Sequence, residues 1–299
     1  MGTAAEAAPD LEPAQQQSWA ASNPVVANFA ASGISVATGV VLTNWVDVIK
    51  VRQQLAGPDG RNLLATGWRV VRSEGFSALG KGVTPAVARG VLYGGLRIGL
   101  YAPMKRALGA EGKESSALGS KVAAGMLSGA IAAGISNPTD LVKTHMQKGG
   151  SSQGGPFAVL ARIVRAEGVR GLWVGTTPSM ARAALLTAAQ CATYDELKLF
   201  FVRGMGWEDN LQTHFSVSAL AGLVTTTVTA PVDMVKTNMF VNPQLYPTPS
   251  ACIRGIMQQQ GVRGLFKGWG AQWARQGPMT TVIFIVNESL RSVMGMESF

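Results

Sequence analysis

The feature that most constrains this chain is a repeat with a period of 93 residues. Asp47, Asp140 and Asp233 stand at that interval, as do Lys50, Lys143 and Lys236. The same step joins Gly75, Gly168 and Gly261, then Gly82, Gly175 and Gly268, then Arg89, Arg182 and Arg275. No insertion separates these anchors, so the fold must offer three equivalent places to one structural unit.

Each unit begins with an apolar stretch. Residues 25–46, 122–139 and 215–232 contain no Asp, Glu, Lys or Arg, and each approaches the ~20 residues that cross a bilayer as a helix. A second apolar stretch follows in each unit: 84–104 with Arg89 and Arg97, 174–194 with Arg182, and 269–287 with Arg275. A charge at membrane depth costs ~2.5–3.5 kcal/mol or more, so such residues face a cavity rather than lipid. The expected fold is an all-α membrane protein with six transmembrane helices in three pseudo-symmetric repeats. The repeats cover 24–110, 117–203 and 210–296, after a disordered tail at 1–22. A mean hydropathy of +0.18 with only 14% charged residues suits helices that line a wet interior. Small residues four apart in the first spans (Gly125 and Gly129, Ser218 and Gly222) predict close helix contact, which Val36 after Ser32 breaks in the first copy.

Between the two spans of each unit lies a polar stretch with a short amphipathic segment, giving three short helices at the membrane surface. These stretches (51–83, 144–176, 237–269) hold 12 Lys or Arg and 3 acids, against 6 and 6 in the connectors 98–121 and 195–214. The excess predicts an inner, matrix-like side for the long stretches and the opposite side for both termini. The net charge of +9 comes without a clustered basic block interleaved with aromatics. Anionic lipid and an anionic substrate are therefore expected partners, and nucleic acid is not. Cys191 and Cys252 offer no disulfide framework, and no metal-ligand or hydrolase motif is present.

The first spans of the second and third units end in Pro138-Thr-Asp140-Leu-Val-Lys143 and Pro231-Val-Asp233-Met-Val-Lys236; in the first, Trp45 replaces the proline. Proline kinks a helix, and three kinked helices would bring three carboxylates and three ammonium groups into one ring. With Glu74-Gly75, Glu167-Gly168 and the triplet Phe266-Lys267-Gly268, this pattern resembles the mitochondrial carrier family over roughly residues 24–295. The resemblance implies a six-helix bundle around a central cavity. It implies a matrix-side gate in which Asp47 pairs with Lys143, Asp140 with Lys236 and Asp233 with Lys50, with Gln54 and Gln147 at the places of bracing glutamines. It also implies cardiolipin phosphates held at the backbone of Gly82, Gly175 and Gly268, and a chain that works as a monomer with no other cofactor.

An outer gate is implied at the far ends of the even spans. Tyr194-Asp195-x-x-Lys198 matches the family pattern, Asn287-Glu288-x-x-Arg291 keeps its charges, and Tyr101-Ala102-x-x-Lys105 has lost its acid. The outer gate is expected to be the weaker one. Arg89, Arg182 and Arg275 share one level, where planar guanidinium forks suit a carboxylate. Tyr93 and Arg97 extend that site along the same helix. With Arg89-x7-Arg97-Ile98-Gly99-Leu100-Tyr101, this looks like the branch of oxoglutarate/malate, dicarboxylate and uncoupling carriers. The expected function is exchange of small dicarboxylates across the mitochondrial inner membrane. An uncoupling-like proton or fatty-acid leak, or a non-transporting adaptor, remain alternatives.

Overall fold

The computed structural model describes residues 24–56, 62–109, 118–149, 154–208 and 211–293. The expected tail at 1–22 lies outside these residues. Ten α-helices are described: α1 (Pro24–Leu55), α2 (Leu63–Glu74), α3 (Val83–Ala107), α4 (Leu118–Ile135) and α5 (Asn137–Lys148), then α6 (Pro156–Glu167), α7 (Thr176–Leu199), α8 (Leu211–Val241), α9 (Pro249–Gln260) and α10 (Trp269–Val293). Short 3-10 turns at Phe76–Gly80, Val169–Trp173 and Val262–Phe266 lead into α3, α7 and α10. No strand occurs among the described residues.

The long helices close a ring. α1 packs on α3, α3 on α4, α4 on α7, α7 on α8, α8 on α10, and α10 back on α1. The α4–α5 pair is one span broken in the middle. α2, α6 and α9 lie across one end of the ring, where their apolar faces cover the ends of the first spans. Leu141, Val142, Val159, Ile163 and Phe240 make one buried cluster there; Met234, Val235, Met239, Tyr246, Cys252 and Ile256 make another. Gly33–Leu55 and Ser216–Val241 are long and apolar enough to cross a membrane. The even helices α3, α7 and α10 have 25, 24 and 25 residues, about 36 Å of helix. Their arginines lower the hydropathy without shortening them.

Packing inside each repeat follows a volume exchange between its two long helices. Val36 on α1 faces Gly90 on α3, where an added Cβ would come within 3.3 Å of Val36 Cγ1. In the second repeat the bulk is redistributed: Gly129 on α4 lies near Ala183 on α7, and in the third Gly222 on α8 lies near Gln276 on α10. The break that Val36 makes in the small-residue pattern is thus compensated by Gly90, because close-packed interiors respond to single methylenes.

The three first spans differ in continuity and in proline content. The second breaks at Ser136, between α4 and α5 and just before Pro138. The third runs unbroken through Pro231. The first has no proline at the matching position, where Trp45 is 47% exposed. All three nevertheless deliver their aspartates to one level, so the expectation that a proline kink makes the ring holds only in part.

Candidate functional site

The ring at the closed end is built from one atom pair repeated three times. Lys143 Nζ donates to Asp47 Oδ2 at 2.6 Å, Lys236 Nζ to Asp140 Oδ2 at 2.6 Å, and Lys50 Nζ to Asp233 Oδ2 at 2.8 Å. Each pair joins one repeat to the next, with 96 residues or 183 residues between partners. Asp and Lys of the same turn, which share a helix face, do not pair with each other.

The other oxygen of each carboxylate is also taken. Arg275 Nη1 lies 2.7 Å from Asp47 Oδ1, Arg89 pairs with Asp140, and Arg182 pairs with Asp233. The arginines have no acid within their own apolar spans, but the fold gives each an acid on a first span of another repeat. The floor of the bundle is therefore a closed circuit of six cations and three carboxylates, a formal net of +3. Among these side chains the aspartates are 4–6% exposed, the lysines 13–15% and the arginines 23–27%. The arginines are thus the most accessible cations of the circuit. Buried carboxylates are tolerable here because each is doubly compensated.

Beyond the circuit the three even helices differ. On α3 the Arg89 guanidinium lies 5.0 Å from the Tyr93 ring centroid, and Arg97 Nη2 donates to Thr187 Oγ1 on α7 at 3.2 Å. On α10 the matching position to Tyr93 is Met279, whose Sδ lies 3.2 Å from Arg275 Nη2. One wall is polar and cationic, the other softer and apolar.

The hydrogen bonds of Gln54 and Gln147 go to neutral side chains on a neighbouring repeat. Gln54 Oε1 accepts from Thr237 Oγ1 at 2.7 Å, tying α1 to α8, and Gln147 Nε2 donates to Asn44 Oδ1 at 3.2 Å, tying α5 to α1. Phe240 fills the third position, fully buried, with Lys236 Nζ 5.2 Å from its ring centroid. These three side chains pack on the three glycines that open the even helices. An added Cβ would meet Gln147 at Gly82, Phe240 at Gly175 and Gln54 at Gly268, all within 3.2 Å. The glycines have φ of 81°, 68° and 81°, so both backbone and space demand glycine there. Asp195, Lys198 and Lys105 lie half-buried toward the far ends of α7 and α3. Thirteen residues separate Asp195 from Arg182, about 20 Å along the helix. The side chains of Glu288 and Arg291 lie outside the described residues.

Two features escaped the reading of the sequence. Asn44 Nδ2 donates to the carbonyls of Leu79 and Lys81 at 2.9 and 3.1 Å, and Asn137 does the same to Leu172 and Val174 at 3.0 and 2.9 Å. These asparagines bind the first span to the turn that precedes the second. They too are 93 residues apart, which was the available signal; Ala230 ends the series. The second feature is a clasp in which Arg52 forks onto Glu74 at 2.6 and 3.1 Å while Lys81 joins Glu74 at 2.8 Å.

A six-helix ring with threefold pseudosymmetry and a charged, salt-bridged floor at one end defines a multi-pass membrane carrier. The model of the family described as mitochondrial carrier protein matches three times, at residues 21–112, 114–205 and 208–298. The chain belongs to the mitochondrial carrier family, whose members are transporters of the mitochondrial inner membrane. It is 39% identical over 286 residues to the mitochondrial substrate carrier family protein ucpB of Dictyostelium discoideum, covering 90% of this chain and 96% of that one. It is 35% identical over 280 residues to mitochondrial uncoupling protein 1 of Arabidopsis thaliana, covering 88% and 92%. Mitochondrial uncoupling protein 3 of the same plant is 32% identical over 295 residues, covering 92% and 97%.

Proposed function

We propose that the protein exchanges small dicarboxylates by alternating access, with Arg89, Arg182 and Arg275 as the binding site. The observation that carries this reading is the excess of three positive charges on the floor of the bundle, with the arginines its most accessible members. A carboxylate arriving from the open side competes for the arginine forks. Each guanidinium it takes leaves one ring aspartate with a single cation partner. Binding energy is thereby spent on loosening the ring, as a ligand must do if it is to shift the equilibrium between two states. Tyr93 and Arg97 extend the site on one wall. The three lysine–aspartate pairs act as the matrix-side gate. Asp195, Lys198, Glu288, Arg291 and Lys105 form the outer gate, which lacks the acid that Ala102 replaces. Gly82, Gly175 and Gly268 open helices whose N-termini suit the phosphates of cardiolipin. Both termini face the intermembrane space, and a single chain is the transport unit.

The test is Arg182→Ala in proteoliposomes loaded with malate and supplied with labelled malate or oxoglutarate. Exchange is expected to vanish while the melting temperature changes little, since Asp233 keeps Lys50. Retained exchange would refute the site. A second reading, conduction of protons or of fatty-acid anions, is favoured by the relatives that are themselves uncoupling proteins. Proton flux measured in the same vesicles with and without oleate separates it: dicarboxylate-independent flux at the rate of exchange would favour the leak.

A further inference from the structure

The 93-residue step carries one more register, which the ring does not use. Arg52 Nε donates to the carbonyl of Gln147 at 2.7 Å, from α1 to the end of α5. His145 Nε2 bonds the carbonyl of Phe240 at 2.8 Å, from α5 to the end of α8. His145 is 93 residues after Arg52, and Phe240 is 93 after Gln147, so these are one bond made twice. The third copy would run from Asn238 on α8 to the carbonyl of Gln54 on α1. Asn238 instead turns its amide to the carbonyl of Met234 on its own helix, at 3.0 Å. The clasp beside the first bond is also unequal. Repeat 1 has Arg52, Glu74 and Lys81; repeat 3 has Asn238, Gln260 and Lys267 at those places, and Gln260 Oε1 is buried without a partner. A carbonyl oxygen can only accept, so Nε2 of His145 carries the proton and the bond forms with neutral or charged imidazole.

We infer that Arg52 and His145 are positioning residues that fasten two of the three seams between repeats. The seam from α8 to α1, which lacks the bond, is then the one that parts first when the matrix side opens. That seam retains Lys50–Asp233 and the neutral bond from Thr237 to Gln54, but no donor reaches a helix-end carbonyl across it. The other two seams carry the same ring pair and a donor fixed on such a carbonyl, where a cation is also favoured by the helix dipole, and the α1–α5 seam adds the bond from Gln147 to Asn44. The order of parting rests on the ring being the matrix-side gate, but not on which substrate the protein carries.

Ser73, Ala166 and Gln259 are exposed and follow one another at 93-residue steps, one on each short helix. Spin labels at these sites in pairs, with Cys191→Ser and Cys252→Ser, report each seam in lipid nanodiscs by pulsed electron resonance without added substrate. The distance distribution between 259 and 73 is expected to be the broadest, with the longest tail. His145→Ala is expected to raise the separated fraction between 166 and 259 by about fivefold, the factor one hydrogen bond corresponds to. His145→Gln, which keeps an N–H donor, should return it. Asn238→Arg with Gln260→Glu, which rebuilds the clasp beside Lys267, should narrow the 259–73 distribution. Equal distributions at all three seams, or no response at the seam of the altered residue, would overturn the inference. Malate exchange by the unlabelled protein is scored separately, so a failure of the seam order leaves the transport reading standing.

Discussion

The charge imbalance of the floor makes the two partners of one salt bridge unequal. Consider the pair of Lys50 and Asp233, whose side chains are 15% and 4% exposed. Asp233→Asn removes the only carboxylate between Lys50 and Arg182 and raises the formal charge of the circuit from +3 to +4. Two semi-buried cations then face each other uncompensated, a change that typically costs ~3–5 kcal/mol. Lys50→Gln lowers the circuit to +2 and leaves Asp233 bound to Arg182. It forfeits one charged hydrogen bond of ~1.5–3 kcal/mol, but it relieves repulsion among the remaining cations. A net loss of ~1 kcal/mol is expected. At ~2–4 °C per kcal/mol for a chain of this order of size, Asp233→Asn should melt at least ~4 °C below Lys50→Gln. Thermal unfolding of the two purified variants in one detergent and lipid mixture decides it. Equal losses, or a larger loss for the lysine variant, would refute the description of the floor as a cation-rich circuit held by three carboxylates. Added polyanion should narrow the gap, since it supplies the missing negative charge.

Glu74, outside the membrane spans, is held at about 2 by hydrogen bonds from Arg52 and Lys81. Its folded value lies below its ordinary one, so the stabilisation is present at neutral pH and is lost as pH falls from about 4.5 toward 2. Glu74→Gln should cost ~1 kcal/mol at pH 7, because the group is partly solvated, and melting curves of variant and parent should draw together below about pH 4.5 and meet only as pH approaches about 2. Gly90→Ala should cost ~1–2 kcal/mol through the contact with Val36, and Val36→Ala in the same chain should recover most of it; a failure to recover would mean that the volume exchange is not what sets this contact. Ala102→Asp restores an acid to the outer end of α3 and should slow entry of labelled dicarboxylate from the outer side by several-fold; an unchanged rate would show that this position takes no part in closure.

The fold was legible because its period is legible: five triplets at one interval are enough by themselves to define three equivalent helix pairs. The lysine–aspartate pairing between repeats came from the family resemblance, since spacing alone allows pairing within a turn just as well. What stayed hidden was the second partner of each aspartate. Arg89 and Asp140 are 51 residues apart and lie on helices of different repeats, so neither helical periodicity nor motif spacing relates them. Only the closure of the ring brings the two levels together. The partners of the glutamines were equally hidden: they bond to Thr237 and Asn44, because a four-residue step advances about 40° beyond a full turn.

The departures from the repeat mark where a threefold design has been made unequal. Trp45 in place of proline leaves Asp47 in the ring, so a proline is not needed to position the carboxylate. Asn44 and Asn137 hold the first span to the turn before the second, and the third repeat manages with Ala230 there and Gln272 bonded to Thr229 at 3.2 Å. Each substitution keeps the level of the charged residue and changes how its helix is fastened. The ring therefore behaves as the constraint that all three copies must meet, while the fastenings are free to diverge. A transporter needs that division: its charge circuits must close alike in every cycle, but the seams between them have to differ in strength if one is to yield before the others.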